Sequence, residues 1–356
     1  MAQHIIFSVD YHDRQCVIRR LALPKREERV FAWPTVAEEI ITLLDDAQDE
    51  VGADGSVTWI QESTTGWPRV RDLVAGRGEF VLVNVLKMPR TPKAHRRKTD
   101  KVDTARIQRE YLGGEMPMAY QPSAEWRQRR RLVSWRENLV RRRTSLRNWI
   151  NRYLAHETWF DRTGLWGPLG MGRLVDLLPS LAASDALVIQ RKLTEIAHLE
   201  RQLREAVRQL KKLYSSWPEA QRLDAIRGIS VVSAVSIVAR IGPIERFPTP
   251  ESLISYAGLA PGVRQSDETI RYGRIGGGGT DEYLRHYIIE ATTWARQLPR
   301  YQRTYERTRR RRGSKVARLV VARMLVRSIH KVLQAGVAFD PGGECVVRRR
   351  RKQACS

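Results

Sequence analysis

Four carboxylates carry the clearest chemistry in this sequence. Asp10 closes the apolar run His4–Asp10, Glu62 follows the run 56–61 (SVTWIQ), and Asp100 and Asp103 fall in a segment of helical pattern. The three-residue spacing of the last two puts them on one helical face. Clustered carboxylates repel and raise one another's pKa unless a divalent cation holds them ionised. A pair of Mg²⁺ or Mn²⁺ ions about 3.5–4 Å apart stabilises both the attacking and the leaving oxygen at a phosphodiester. The acids therefore predict metal-assisted phosphodiester chemistry. Read singly, each is also compatible with a strand-end turn or a solvated ion pair beside Lys98, Lys101 and Arg106.

The elements that would hold these acids follow from periodicity. Residues 4–10, 15–22 and 28–33 read as three short strands, 35–49 as an amphipathic helix, 56–61 as a strand, 66–76 as a helix and 79–85 as a strand. A meander followed by alternating helix and strand predicts a mixed sheet with helices on its faces. Segments 99–112, 123–155 and 184–213 read as helices. The last repeats Leu187, Leu193, Ile196, Leu199, Leu203, Val207 and Leu210, a stripe suited to a coiled coil, either with another chain or in an intramolecular hairpin. From Pro218 a second globular part begins. Apolar segments flank Gly228, and the second ends at Gly242, a helix-hairpin-helix-like spacing in which glycine permits a tight turn and offers backbone N–H groups to phosphate. Residues 262–279 are rich in Gly and polar side chains and predict a flexible loop before a helix over 281–298. The expected organisation is 1–115, 116–217, 218–340 and a basic tail 341–356.

Charge narrows the class of partner. The 356 residues hold 63 Lys and Arg against 39 Asp and Glu, a formal charge of +24. The excess lies in two segments: 89–152 has 18 basic and 6 acidic residues, 296–352 has 18 and 3, and the remainder is slightly acidic. Localised positive charge calls for a polyanion, and nucleic acid fits it best. Arg129, Arg130, Arg131, Arg141, Arg142 and Arg143 alternate with Trp126, Trp135, Trp149 and Tyr153, a mixture that serves phosphate contacts and base stacking or helix packing. Arg309, Arg310, Arg311 and Arg312 form the second cluster. Cys16, Cys345 and Cys355 have neither metal-ligand spacing nor an even framework, which fits a reducing cytosol. No apolar run reaches membrane-spanning length and no signal-like N-terminus is present, so a cytoplasmic, nucleoid-associated protein is expected.

The order of strand-end Asp, strand-end Glu and helical Asp pair resembles a ribonuclease-H-like, RuvC-type nuclease core. The second half carries more: Gly228, Gly242, Phe247, the run Tyr256-Ala257-Gly258-Leu259-Ala260-Pro261, Ser266 and Leu284-Arg285, together with KTDKVDTARI over 98–107. These resemble the DEDD insertion-sequence transposases of the IS-one-ten type, the bridge-RNA-guided recombinases, over roughly residues 4 to 335. The resemblance implies a RuvC-like N-terminal domain, a long helical and coiled-coil connector, and a mostly helical C-terminal transposase domain. It implies that Asp10, Glu62, Asp100 and Asp103 hold Mg²⁺ or Mn²⁺ and that Ser266 bonds to DNA. Arg264, Arg271 and Arg274 are then close enough in sequence to offset transition-state charge. The implied partners are donor and target DNA, a structured guide RNA and further copies of the chain, as a dimer or tetramer, with no membrane. Departures from the family pattern are Ser8-Val9 before the first Asp, the run Glu62-Ser63-Thr64-Thr65-Gly66, Asp267 after the serine, and a glycine loop without lysine. None removes a proposed catalytic group.

A serine beside metal carboxylates has a chemical purpose. Water attack dissipates the phosphodiester energy, whereas a phosphoserine conserves it for rejoining a freed 3′-OH. Two alternatives remain at the level of sequence: a junction-cleaving RuvC-like hydrolase using the carboxylates alone without a covalent intermediate, and a nucleic-acid-binding protein whose acids are inert.

Overall fold

The computed structural model describes residues 3–64, 66–88, 100–114, 116–266, 269–277 and 279–339, and the side chains of Leu86, Asp100, Lys101 and 261–274 are outside the description. The chain divides into two compact units, residues 1–121 and 122–356.

The first unit is built on strands β1 (His4–Asp10), β2 (Gln15–Leu23), β3 (Glu27–Pro34), β4 (Ser56–Glu62) and β5 (Glu79–Val83). They form one sheet in the order β3-β2-β1-β4-β5. Strands β1 to β3 are an antiparallel meander, while β4 runs parallel to both β1 and β5. A parallel neighbour needs a crossover. Helix α1 (Ala37–Val51) supplies it before β4, and α2 (Trp67–Val74) before β5. Helix α3 (Asp100–Leu112) follows.

Side chains alternate across a strand, and here the two sets enter different cores. Ile5, Phe7 and Val9 of β1 and Val57 and Trp59 of β4 pack with Ile40 and Leu44 of α1 and Val70 and Val74 of α2. Ile6 and Ile60 instead pack with Ile107 of α3. Helices α1 and α2 thus cover one face of the sheet and α3 the other. This mixed α/β arrangement carries the strands and helices expected from periodicity, with ends shifted by one to three residues.

The second unit is helical apart from one hairpin. Its elements are α4 (Ala124–Glu157), α5 (Pro168–Leu177), α6 (Ala183–Ser215), α7 (Pro218–Asp224), α8 (Val231–Ile241), α9 (Pro250–Tyr256), β6 (Pro261–Ser266), β7 (Thr269–Ile275), α10 (Glu282–Ala295) and α11 (Pro299–Ala335). Local chemistry sets several starts: Ser123, Ser230, Thr249 and Asp281 each accept a hydrogen bond from the backbone N–H three residues on. The central core joins Val133 of α4 and Leu210 of α6 to α7 through α11. Helices α4 and α6 pack antiparallel: Leu139 meets Leu199, Leu203 and Ala206, while Ile150 and Leu154 meet Ile196. The apolar stripe of α6 is therefore used within the chain, as a helical hairpin.

Two expectations need correction. Residues 262–279 do not form a loop throughout: β6 and β7 pair as an antiparallel hairpin, with Ser266 opposite Thr269. Thr269, Ile270, Tyr272 and Ile275 have the β-branched and aromatic character that strands favour, and this outweighs the nearby glycines. The α6 stripe also departs from expectation at one end. The expected positions Ile196, Leu199, Leu203 and Leu210 are buried and Leu193 packs beside them, whereas Leu187 is exposed and Ile189 and Ala206 are buried in addition. Gly228 lies between α7 and α8 with φ +98°, and it also allows close helix packing: a Cβ there would lie 2.5 Å from the carbonyl oxygen of Ala291 in α10.

Candidate active site

Asp10 and Glu62 come together through the register of the sheet. Val9 pairs with Gln61 across parallel strands β1 and β4, so the next residues, Asp10 and Glu62, end adjacent strands side by side. Such strands lie about 4.8 Å apart. Asp10 is two positions beyond Ser8 and four beyond Ile6, and Glu62 is two beyond Ile60. Both therefore share the face covered by α3.

Asp103 lies on α3 one turn before Ile107, which is buried in that same core, and Thr104 between them is fully buried. Asp100 is the first residue of α3, one turn before Asp103 and Thr104, and its side chain lies outside the described residues. The seam between sheet and α3 is polar as well as apolar. Ser8, Thr104 and Gln108 are all buried in it, and Ser8 Oγ and Gln108 Oε1 have no hydrogen-bond partner.

The electrostatics at the strand ends centre on Asp10. Its side chain retains 14% accessibility, and His12 Nε2 is 3.6 Å from its carboxylate, a partner that sequence reasoning passed over. Cys16 on β2 is fully buried. Its thiol is pushed up to about 11, first by burial and to a smaller extent by the negative charge of Asp10.

The donor set is made of hard carboxylate oxygens, the kind Mg²⁺ and Mn²⁺ prefer, and Ser8 Oγ, buried without a partner, lies on the same strand face two residues before Asp10. The residues present thus fit a hard divalent cation chemically. Among the described residues, no group of three or more His, Cys, Asp or Glu side chains is gathered closely enough to hold one ion. The structure brings Asp10 and Glu62 to neighbouring strand ends and Asp103 to the helix over the same face, and it does not close them into a cluster.

Ser266 belongs to the second unit, as the last residue of β6. Its side chain, those of Arg264, Arg271 and Arg274, and all of Asp267 lie outside the described residues; in backbone register Arg264 opposes Arg271. The base of this hairpin is well defined. Asp281 N–H donates to the Tyr256 carbonyl at 2.9 Å, and Thr280 Oγ1 donates to the Gly277 carbonyl at 2.8 Å. Arg285 Nη1 lies 2.6 and 2.3 Å from where a Cβ on Gly258 or Gly276 would stand, and both glycines have positive φ, +65° and +78°, which favours glycine at each. Behind the base, Arg240 pairs with the buried Glu137 of α4 and, at 3.4 Å, with Asp281. Burial raises the pKa of Glu137, although the Arg240 guanidinium opposes the shift.

The expected nucleic-acid arginines divide by environment. Arg129 lies over the rings of Trp126 and Trp217, 5.2 and 4.3 Å from their centroids. Arg130 donates to the carbonyls of Ala239 and Arg240 at 2.9 and 3.0 Å and thereby caps the C-terminal end of α8. Arg131, Arg141 and Arg142 are exposed. Arg141 bonds Asn138, and Arg142 pairs with Glu195 at 3.2 Å. Arg143 turns toward the α4/α6 seam, near Arg136 and Arg204. Arg309 to Arg312 are exposed and precede Gly313, whose φ of 81° and ψ of 167° interrupt α11. Arg136 and Arg204 escaped the sequence reading; the first is visible there only as one of a series, Arg136, Arg143 and Arg147, that repeats on one helical face.

Residues 220–309, from α7 into α11, match the model of the transposase IS116/IS110/IS902 family. Three curated proteins are similar to the chain. An uncharacterized 43.6 kDa protein of insertion element IS110 from Streptomyces coelicolor is 28% identical over 48% of this chain and 40% of its own length. A transposase for insertion sequence element IS1111A from Coxiella burnetii is 25% identical over 48% of this chain and 47% of its own. A probable family 20 transposase from Pseudomonas aeruginosa is 27% identical over 63% and 69%. The chain spans about half the length of the first two relatives.

Proposed function

We propose that this chain, whose residues 220–309 carry the IS116/IS110/IS902 transposase match, is an insertion-sequence recombinase that cuts and rejoins DNA through a serine-linked intermediate, guided by a structured RNA. The observation that carries the reading is a coincidence of two sites in one chain. The matched segment contains Ser266, and the other unit, a RuvC-like core in this reading, ends adjacent parallel strands in Asp10 and Glu62 beneath the helix bearing Asp100 and Asp103.

In this mechanism Ser266 Oγ attacks a backbone phosphorus. The Oγ–P bond forms, the bond from phosphorus to the 3′ oxygen breaks, and that oxygen leaves as a free 3′-OH carrying one proton. In the reverse step a 3′-OH from another strand attacks the phosphoserine, restores the diester and returns the proton to serine. The number of phosphodiester bonds is conserved, so no nucleotide cofactor is consumed. Asp10, Glu62, Asp100 and Asp103 would hold Mg²⁺ or Mn²⁺, which when bound stabilises charge on the attacking and leaving oxygens. Arg264, Arg271 and Arg274 supply positive charge from the hairpin itself. The basic segments hold donor DNA, target DNA and guide RNA by their phosphates.

The test is reconstitution. Purified protein, Mg²⁺, RNA transcribed from the DNA flanking its own reading frame, and donor and target plasmids should yield recombinant junctions that depend on the RNA. Cleavage with hydrolysed ends and no junctions would select the metal-only nuclease instead.

A further inference from the structure

The seam between α4 and α6 holds an open cleft of about 390 Å³ lined by Arg136, Val140, Arg143, Glu200, Leu203, Arg204 and Val207. Its charge is unbalanced. Glu200 is already engaged, 2.6 Å from Arg147. Arg136 donates to the Tyr287 hydroxyl at 3.2 Å, and no carboxylate pairs with Arg136, Arg143 or Arg204 among the described residues. The Nε atoms of Arg136, Arg143 and Arg147 are buried without a hydrogen-bond partner. Burial, and after it the charges of Arg147 and Arg136, hold Arg143 below the usual guanidinium range, with Glu200 opposing.

A folded chain gains nothing by lining a seam with guanidinium groups that repel one another and leave buried donors unpaired. Arginine forks match phosphate oxygens in geometry and charge. Arg136 and Arg143 are seven residues apart, about 10 Å along the helix, room for more than one phosphate of a strand.

We infer that the cleft between α4 and α6 is a phosphate-binding site for a nucleic-acid backbone, with Arg143 and Arg204 as its free ligands and Arg136 behind them. It rests on the reading that the protein works on nucleic acid and is independent of the strand-exchange chemistry. Its assay reads binding, so failed recombination would leave the result standing.

The experiment uses the full chain and three variants: Arg143→Met, Arg143→Met with Arg204→Gln, and, as a control elsewhere on α6, Arg191→Gln. Affinity is measured against salt with a 30-base-pair DNA duplex and with a stem-loop RNA, and the melting temperature is measured without nucleic acid. In at least one arm, the single variant should flatten the slope of log K against log salt by about one and the double variant by about two, while Arg191→Gln leaves it unchanged. Arg143→Met should melt no lower than wild type, because it removes repulsion and keeps the packing of the stem. An unchanged slope for the double variant in both arms overturns the assignment, as does an equal loss in Arg191→Gln.

Discussion

At the scale of residues, the proposed cleavage depends on carboxylates held outside the apolar cores. Asp10, Glu62 and Asp103 lie at strand ends or on a helix face and not in the apolar centre of either core. Asp10→Asn, Glu62→Gln, Asp100→Asn and Asp103→Asn should therefore each abolish strand cleavage while melting within a few degrees of wild type. Two of them cleaving at the wild-type rate with Mg²⁺ would remove the site. Cys16 gives an independent reading of the same neighbourhood. Its thiol is protonated in both states at neutral pH, but the unfolded thiol loses its proton near 9 and the folded one near 11. Between those values the folded state binds more protons, so stability falls as pH rises, by at most ~3 kcal/mol. Alkylation of Cys16 at pH 8 should be far slower in the folded protein than in urea; equal rates would contradict its burial. The strand ends and the helix that carry the acids were legible in sequence from periodicity. The neighbours His12 and Thr104 were not, since only tertiary structure brings a strand-end loop or a helix seam to them.

At the scale of elements, α3 carries two of the four acids, and its burial against the sheet depends heavily on Ile107. Ile107→Ala should destabilise the protein by about 2–5 kcal/mol and raise hydrogen exchange in α3, with cleavage falling in parallel. Exchange confined to other segments would dissociate the helix from the site. Strand alternation and helical period were plain enough for the sheet and long helices to be read directly. The β6/β7 hairpin was not, because Gly273 and the run of four glycines from 276 to 279 masked a segment, Thr269–Ile275, that pairs across to β6. Ala206 of α6, which packs with Leu139 of α4, went unread because so small a side chain gives little apolar signal until its partner helix is in place. The first half of α11 presents Arg309 to Arg312 to solvent ahead of the break at Gly313. Replacing the four by Gln should flatten the salt dependence of duplex binding by up to about four units, and an unchanged slope would assign them to the surface alone.

At the scale of the whole molecule, the carboxylates belong to one compact unit and the serine to the other. This division permits a site assembled between protomers, which would cut only after assembly and so limit stray breaks. Mixing Asp10→Asn protein with Ser266→Ala protein should then restore part of the cleavage, because each mixed assembly contains one intact pairing. Mixed oligomers without activity would place both halves of the site in one chain. The measurement closest to the central claim is the bond between protein and DNA. A nicked duplex that releases its downstream fragment after cleavage should trap, under denaturing conditions, a covalent protein–DNA species whose digested peptide carries the phosphate on Ser266. That species should be absent from Ser266→Ala and from Asp10→Asn. Wild-type cleavage that yields free ends with no adduct, or an adduct that survives Ser266→Ala, would contradict the account.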